Sequence, residues 1–138
     1  MEDRNGAWGV GVFENDDACD FAAEVAKSSN LSKLEEALDR VLKAGNEYIE
    51  APEATEALAA AEIVTRLAGR AGEKTPYTEE IDKWADKIKM APPDSLREKA
   101  RRSVARIMEE PSELLELWME SDESDAWKKS ANELMSRL

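Results

Sequence analysis

Residues 53–69, EATEALAAAEIVTRLAG, decide the fold. Ala, Leu, Glu and Arg are strong helix formers. Pro52 ahead of the stretch suits the first turn of a helix, and the segment Gly69-Arg70-Ala71-Gly72 ends it. Ala57, Ala60, Ala61, Val64, Leu67 and Ala68 fall on or near one side. Helices pack more closely where contact residues are small, so this helix is expected at the centre, running to about Arg70.

Apolar residues recur at helical spacing on both sides of it. Asn15 or Asp16 is expected to cap a first helix, with Ala18, Phe21, Ala22 and Val25 as its stripe. Ser32-Lys33-Leu34-Glu35 fits a capping box and opens a second, with Leu31, Leu34, Leu38, Val41 and Leu42 inward and Gly45 at its end. Beyond the central helix, Thr75 and Pro76 read as cap and first residue of a fourth, with Tyr77, Ile81, Trp84, Ala85 and Ile88 inward. Pro92-Pro93 stops it. A fifth carries Leu96, Ala100, Val104, Ile107 and Met108. Pro111-Ser112 opens a sixth with Leu114, Leu115, Leu117, Trp118 and Met119, and a seventh carries Ala126, Trp127, Ala131, Leu134, Met135 and Leu138. The expected fold is all-α: one compact array of about six or seven helices over residues 15–138, preceded by a short extended Gly/Trp-rich arm over residues 1–14.

Composition agrees. The chain has 138 residues, 42% apolar and 36% charged, a size that sustains one core. Its 19 basic and 31 acidic residues give a net charge of −12. A field of that sign repels nucleic acid and anionic membranes and favours basic partners, besides keeping the protein soluble. Cys19 is the one cysteine, so no internal disulfide forms. The amino-terminal residues lack the pattern of a secretory signal, and no apolar run is long enough to span a bilayer. The expected location is the cytoplasm.

Few residues point to catalysis. The sequence has no histidine, which removes the commonest general acid–base and metal ligand and every triad that depends on it. Asp16, Asp17 and Asp20 stand near Cys19, and negative neighbours disfavour a thiolate. Gly6, Gly9 and Gly11 lack the spacing of a dinucleotide loop and the lysine of a P-loop. Their expected role is structural, letting an arm anchored by Trp8 and Phe13 pack on the helices. Glu14, Asp16, Asp17 and Asp20 form a dense acidic cluster, but its spacing does not match a calcium loop. No cofactor is expected.

The four tryptophans, Trp8, Trp84, Trp118 and Trp127, all lie on expected inner faces or on the arm. Trp118 and Trp127 also flank the acidic run Glu120, Asp122, Glu123 and Asp125. A tryptophan exposed there and rimmed by carboxylates would suit a basic partner.

The opening GAWGVGVFENDDACDF, with Gly6, Trp8, Gly9, Gly11, Phe13, Asn15, Asp16 and Phe21, resembles the start of a bacterial family known as domain of unknown function 4259. The segment Ala59–Arg70 resembles that family's middle, and Ser112-Glu113-Leu114 to Trp118 its third block. The resemblance implies a helical domain and brings no assigned activity. The resulting expectation is a non-enzymatic acidic module that binds a basic protein, with an immunity protein that masks a toxin as one form. The alternatives are a carboxylate-based metal protein or enzyme, and a structural subunit of a homo-oligomer that uses exposed Leu, Met and Trp of the last two helices.

Overall fold

The computed structural model describes residues 9–138; Gly6 and Trp8, with the arm's expected tryptophan anchor, lie outside them. Seven helices follow in order: α1 Asp16–Val25, α2 Ser32–Lys43, α3 Ala51–Leu67, α4 Glu79–Ile88, α5 Asp94–Ile107, α6 Glu113–Met119 and α7 Ser124–Ser136. Among the described residues there is no strand, only an isolated parallel bridge between Ile49 and Ser112. The fold is all-α, as expected.

α3 is the central element. It packs against α1, α2, α4, α5 and α6, and the unbroken run Ala57 to Arg66 is buried. The sequence placed its small residues on one side; the structure buries them all round. Alanine makes this feasible, because a helix coated in methyl groups can be surrounded without holding its neighbours at a distance. α2 and α5 supply the bulk, with Leu34, Leu38, Val41, Val104 and Ile107 fully buried, each worth about 1.5–3 kcal/mol of transfer free energy. The core cluster draws on all seven helices.

Helix ends refine the sequence reading. Asn15 caps α1, its Oδ1 accepting from the Ala18 N–H at 2.7 Å. Gly45 and Gly69 follow α2 and α3 at φ +58° and +76°, the left-handed conformation glycine tolerates. Two expectations are corrected. Ser32 is the first residue of α2 rather than a capping-box serine, and its N–H and hydroxyl both donate to the Asn30 side chain. α4 begins at Glu79, later than Thr75–Pro76. Thr75 and Thr78 close a turn on each other first, which leaves Tyr77 exposed instead of inward.

The bridge at Ile49 joins the start of α3 to the start of α6. Ile49 donates to the Pro111 carbonyl at 3.3 Å and accepts from the Glu113 N–H at 2.9 Å. Glu113 Oε1 in turn accepts from the Ala51 N–H at 2.8 Å, satisfying an orphan donor at the positive end of α3. Arg106 secures the same corner by donating to the carbonyls of Gly45, Glu47, Glu109 and Pro111. No helix among the described residues is long and apolar enough to cross a membrane.

Candidate functional site

The glycine turn of the arm receives an anion, and that anion belongs to the chain. The Gly11 N–H donates to Glu14 Oε1 at 2.8 Å. A Cβ on Gly9 would lie 2.6 Å from the Glu14 carboxyl carbon, and one on Gly11 2.6 Å from its Oε1. Only glycine lets the backbone wrap this closely around the carboxylate. Phe13, next in the arm, is buried and lies 5.8 Å below the Arg66 guanidinium, within cation–π range. Phe21 packs half-buried against the core. Cys19 donates to the Phe13 carbonyl at 3.2 Å. Burial first, then Asp16 and Asp20, push its thiol pKa up, away from the reactive thiolate.

Above Phe13 lies a buried ionic network that the sequence did not reveal. Glu62 is 5% exposed and Arg66 8%. They stand one helical turn apart on α3, and the Arg66 Nη1 donates to Glu62 Oε2. Arg66 Nε donates to Asp82 of α4 at 2.7 Å, and its Nη2 to the Glu73 carbonyl at 2.8 Å. From the C-cap of α7, Arg137 grips both oxygens of Glu62 at 2.7 and 2.9 Å and both of Glu133 at 2.7 and 2.9 Å. Hydrogen bonds to Glu62 lead the causes that raise the Arg137 pKa, and the Arg137 side chain holds the Glu133 carboxyl below its ordinary value. A Cβ on Gly72 would come within 2.8 Å of Arg137 Nη2, so that glycine makes room for the guanidinium. Among the described residues no buried side-chain polar atom lacks a partner. Beside the network opens a cleft of about 190 Å³ whose walls include Glu14, Glu73, Tyr77 and Thr78.

The acidic run between α6 and α7 keeps Glu120, Asp122 and Asp125 exposed and Glu123 half-buried. The tryptophans beside it do not join that surface. Trp118 and Trp127 are each 3% exposed and stack with centroids 6.2 Å apart and planes within 9°. The exposed tryptophan envisaged there is therefore corrected: the two rings complete the core between α6 and α7. Leu114, Leu115 and Leu134 are buried with them. A void of about 30 Å³ between the glycine turn and these rings has room for about one water.

A different surface gathers carboxylates around an aromatic ring. Tyr48 is 50% exposed, and its hydroxyl donates to Glu116 Oε1 at 3.2 Å. A hydrogen bond that the protonated Glu116 carboxyl donates to Glu110, partial desolvation and the charges of Glu110 and Glu113 hold the Glu116 carboxyl above its ordinary value. The Tyr48 phenol is likewise pushed up, by desolvation and then by Glu116, Glu113 and Glu110. Among the described residues none of these three glutamates forms an ion pair. Met119, 47% exposed, lies one turn beyond on α6. Among the described residues no group of three or more Asp, Glu or Cys is placed to hold a metal ion, so Glu14, Asp16, Asp17 and Asp20 do not form a cage.

These features define a helical domain in which three separated blocks of sequence, around Phe13, Arg66 and Trp118, meet on one side of α3. The family model described as domain of unknown function (DUF4259) matches residues 6–130, and the chain belongs to that family. No curated protein and no solved structure matches it.

Sequence reasoning missed the network and the tyrosine patch. One signal for the network was legible: Glu62 and Arg66 stand four apart in the mostly apolar stretch 57–67 of α3, where charges survive burial only as pairs. Tyr48 meets Glu116 across 68 residues, which no local pattern marks.

Proposed function

We propose that this protein is a non-enzymatic binding module that receives a basic protein partner, in the manner of an immunity protein that neutralises a toxin by covering it. The observation that carries the reading is the patch of Tyr48, Glu110, Glu113 and Glu116. Carboxylates held together with no ion-pair partner among the described residues raise the energy of the free protein, and an arriving lysine or arginine relieves that repulsion. The half-exposed Tyr48 and Met119 add apolar area beside the charge, the combination that interface anchors use. The net charge of −12 extends the attraction outward and favours fast, salt-sensitive association.

The test is affinity capture from lysate at low and moderate salt, using the wild type and a Glu110→Lys/Glu116→Lys variant. A stoichiometric basic protein held by the wild type and lost by the variant supports the reading. Retention of that protein by the variant would move the interface elsewhere, and an empty wild-type capture would end the proposal.

A further inference from the structure

The cleft beside the buried network is polar, and its unused hydrogen-bonding capacity is one-sided. Its volume of about 190 Å³ falls below the roughly 300–1,000 Å³ of sites for drug-sized ligands, so it suits a molecule of a few heavy atoms. Arg66 and Arg137 reach it, but their charge is committed elsewhere. Arg137 engages Glu62, Glu133, Thr65 and the Arg70 carbonyl through all three of its side-chain nitrogens. Arg66, with its side chain 3% exposed, holds Glu62, Asp82 and the Glu73 carbonyl. The two guanidinium groups thus meet three carboxylates, Glu62, Asp82 and Glu133, and leave no positive charge for an incoming anion.

What the cleft leaves open is acceptors. Glu14 spends Oε1 on the Gly11 N–H, and its Oε2 has no partner among the described residues. Glu73, on the segment between α3 and α4, gives its backbone carbonyl to Arg66, while its exposed carboxylate has no partner among the described residues. The hydroxyl of half-buried Ser130 on α7 is in the same position. All three residues line the cleft, whereas the cationic neighbours of Glu73 in its own segment, Arg70 and Lys74, do not. The glycine turn holds Glu14 in place, because a Cβ on Gly9 or Gly11 would strike its carboxylate. Unspent acceptors call for a ligand that only donates, and an ammonium group has three N–H donors and no acceptor. A metal ion would need a cage of oxygen ligands, and among the described residues no such group is placed to form one.

We infer that the cleft binds a short alkylammonium ion, its N–H groups donating to the Glu14 and Glu73 carboxylates and its carbon chain lying against the half-exposed Tyr77 ring in the cleft wall. The probe is butylammonium, titrated into the full chain at neutral pH and constant ionic strength. The Gly11 amide resonance is the local reporter, because that N–H is bonded to Glu14. Butanol has the same chain and no charge, and tetramethylammonium has the charge and no N–H. The variants are Glu73→Gln and Glu14→Gln/Glu73→Gln, with Glu120→Gln, in the acidic run between α6 and α7, as a charge control.

The expected result is a saturable shift of the Gly11 amide with butylammonium and much weaker binding of butanol and tetramethylammonium. Affinity should fall about threefold in Glu73→Gln and about tenfold in the double variant, and stay unchanged in Glu120→Gln. Circular dichroism checks that the variants fold; should loss of Glu14 unsettle the arm, Glu73→Gln, which alters an exposed side chain, carries the test alone. Absence of a saturable shift, equal binding of either comparison molecule, or binding indifferent to Glu73→Gln would each overturn the inference. An equal loss in Glu120→Gln would overturn it too, by showing attraction to the net charge and not to the cleft. The residues of the tyrosine patch do not line the cleft, and none of these outcomes bears on them.

Discussion

Glu62 and Glu116 are both helical glutamates, and the protein surrounds them in opposite ways. Glu62 is buried and receives two arginines, a threonine hydroxyl and the Gly72 N–H. Glu116 is at the surface, where it accepts from a tyrosine hydroxyl and, when protonated, donates to another carboxyl group. The first arrangement consumes all its charge internally, tying α3, α4 and α7 together and leaving little for a partner to recognise. The second leaves charge unspent and contributes nothing evident to the fold. The contrast separates what holds this protein together from what it offers to others, although both regions use the same side chain.

The sharpest way to break the contrast is Glu62→Gln. It removes the counter-ion shared by the buried Arg66 and the half-buried Arg137, which keep only Asp82 and Glu133, and the expected cost is about 3 kcal/mol, the lower end for breaking a buried pair. Urea denaturation should show that loss in the midpoint with the slope unchanged. A loss within the range of ordinary surface substitutions, about 0.5 kcal/mol, would mean that the network is solvated and that the two glutamates do not differ in kind.

A milder variant sharpens the point. Arg137→Lys keeps the charge but cannot grip Glu62 and Glu133 through paired N–H groups. The expected loss is about 2 kcal/mol, the scale of charge-assisted hydrogen bonds. If lysine substitutes freely, the geometry of the fork is irrelevant and only charge matters at this position.

The two regions also differed in how far the sequence disclosed them. The alanine run of α3, the Asn15 cap and the stripes of α2 and α5 were legible because local periodicity and capping chemistry act over a few residues. The stripes also placed Trp118 and Trp127 on inner faces, although their stacking on each other was not foreseen. Tyr77 was misassigned because a threonine-closed turn competed with an early helix start, a choice that local propensity does not settle. Arg137 and Glu62 are 75 residues apart. The tyrosine patch forms only because the Ile49–Ser112 bridge brings two distant segments side by side. Pairings made by topology leave no periodic trace.

Glu116→Gln probes the opposite side of the comparison. Removing a charge that faces other carboxylates should leave the thermal midpoint at neutral pH unchanged or slightly raised, while the captured basic partner binds more weakly. A clear drop in the midpoint would show that Glu116 serves the fold, and the patch would lose its standing as unspent charge.

The smallest expected effect is the most discriminating, because acid should act on the two regions with opposite signs. The Glu116 carboxyl lies above the ordinary glutamate value of 4.5 in the folded protein. Its contribution to stability is therefore fully present below 4.5 and is lost as pH rises through the folded value. Glu133, beside Arg137, lies below 4.5. Its contribution is present above 4.5 and is lost as pH falls through its folded value. Lowering the pH from neutral should first relieve the patch, giving a slight gain in the urea midpoint above 4.5, and then dismantle the Arg137 pairing below it. In Glu116→Gln the early gain should vanish while the later loss remains. In Arg137→Lys the later loss should shrink while the early gain remains. If both variants trace the wild-type curve, the pH dependence arises elsewhere among the 31 acidic residues, and the two glutamates cannot be told apart by their protons.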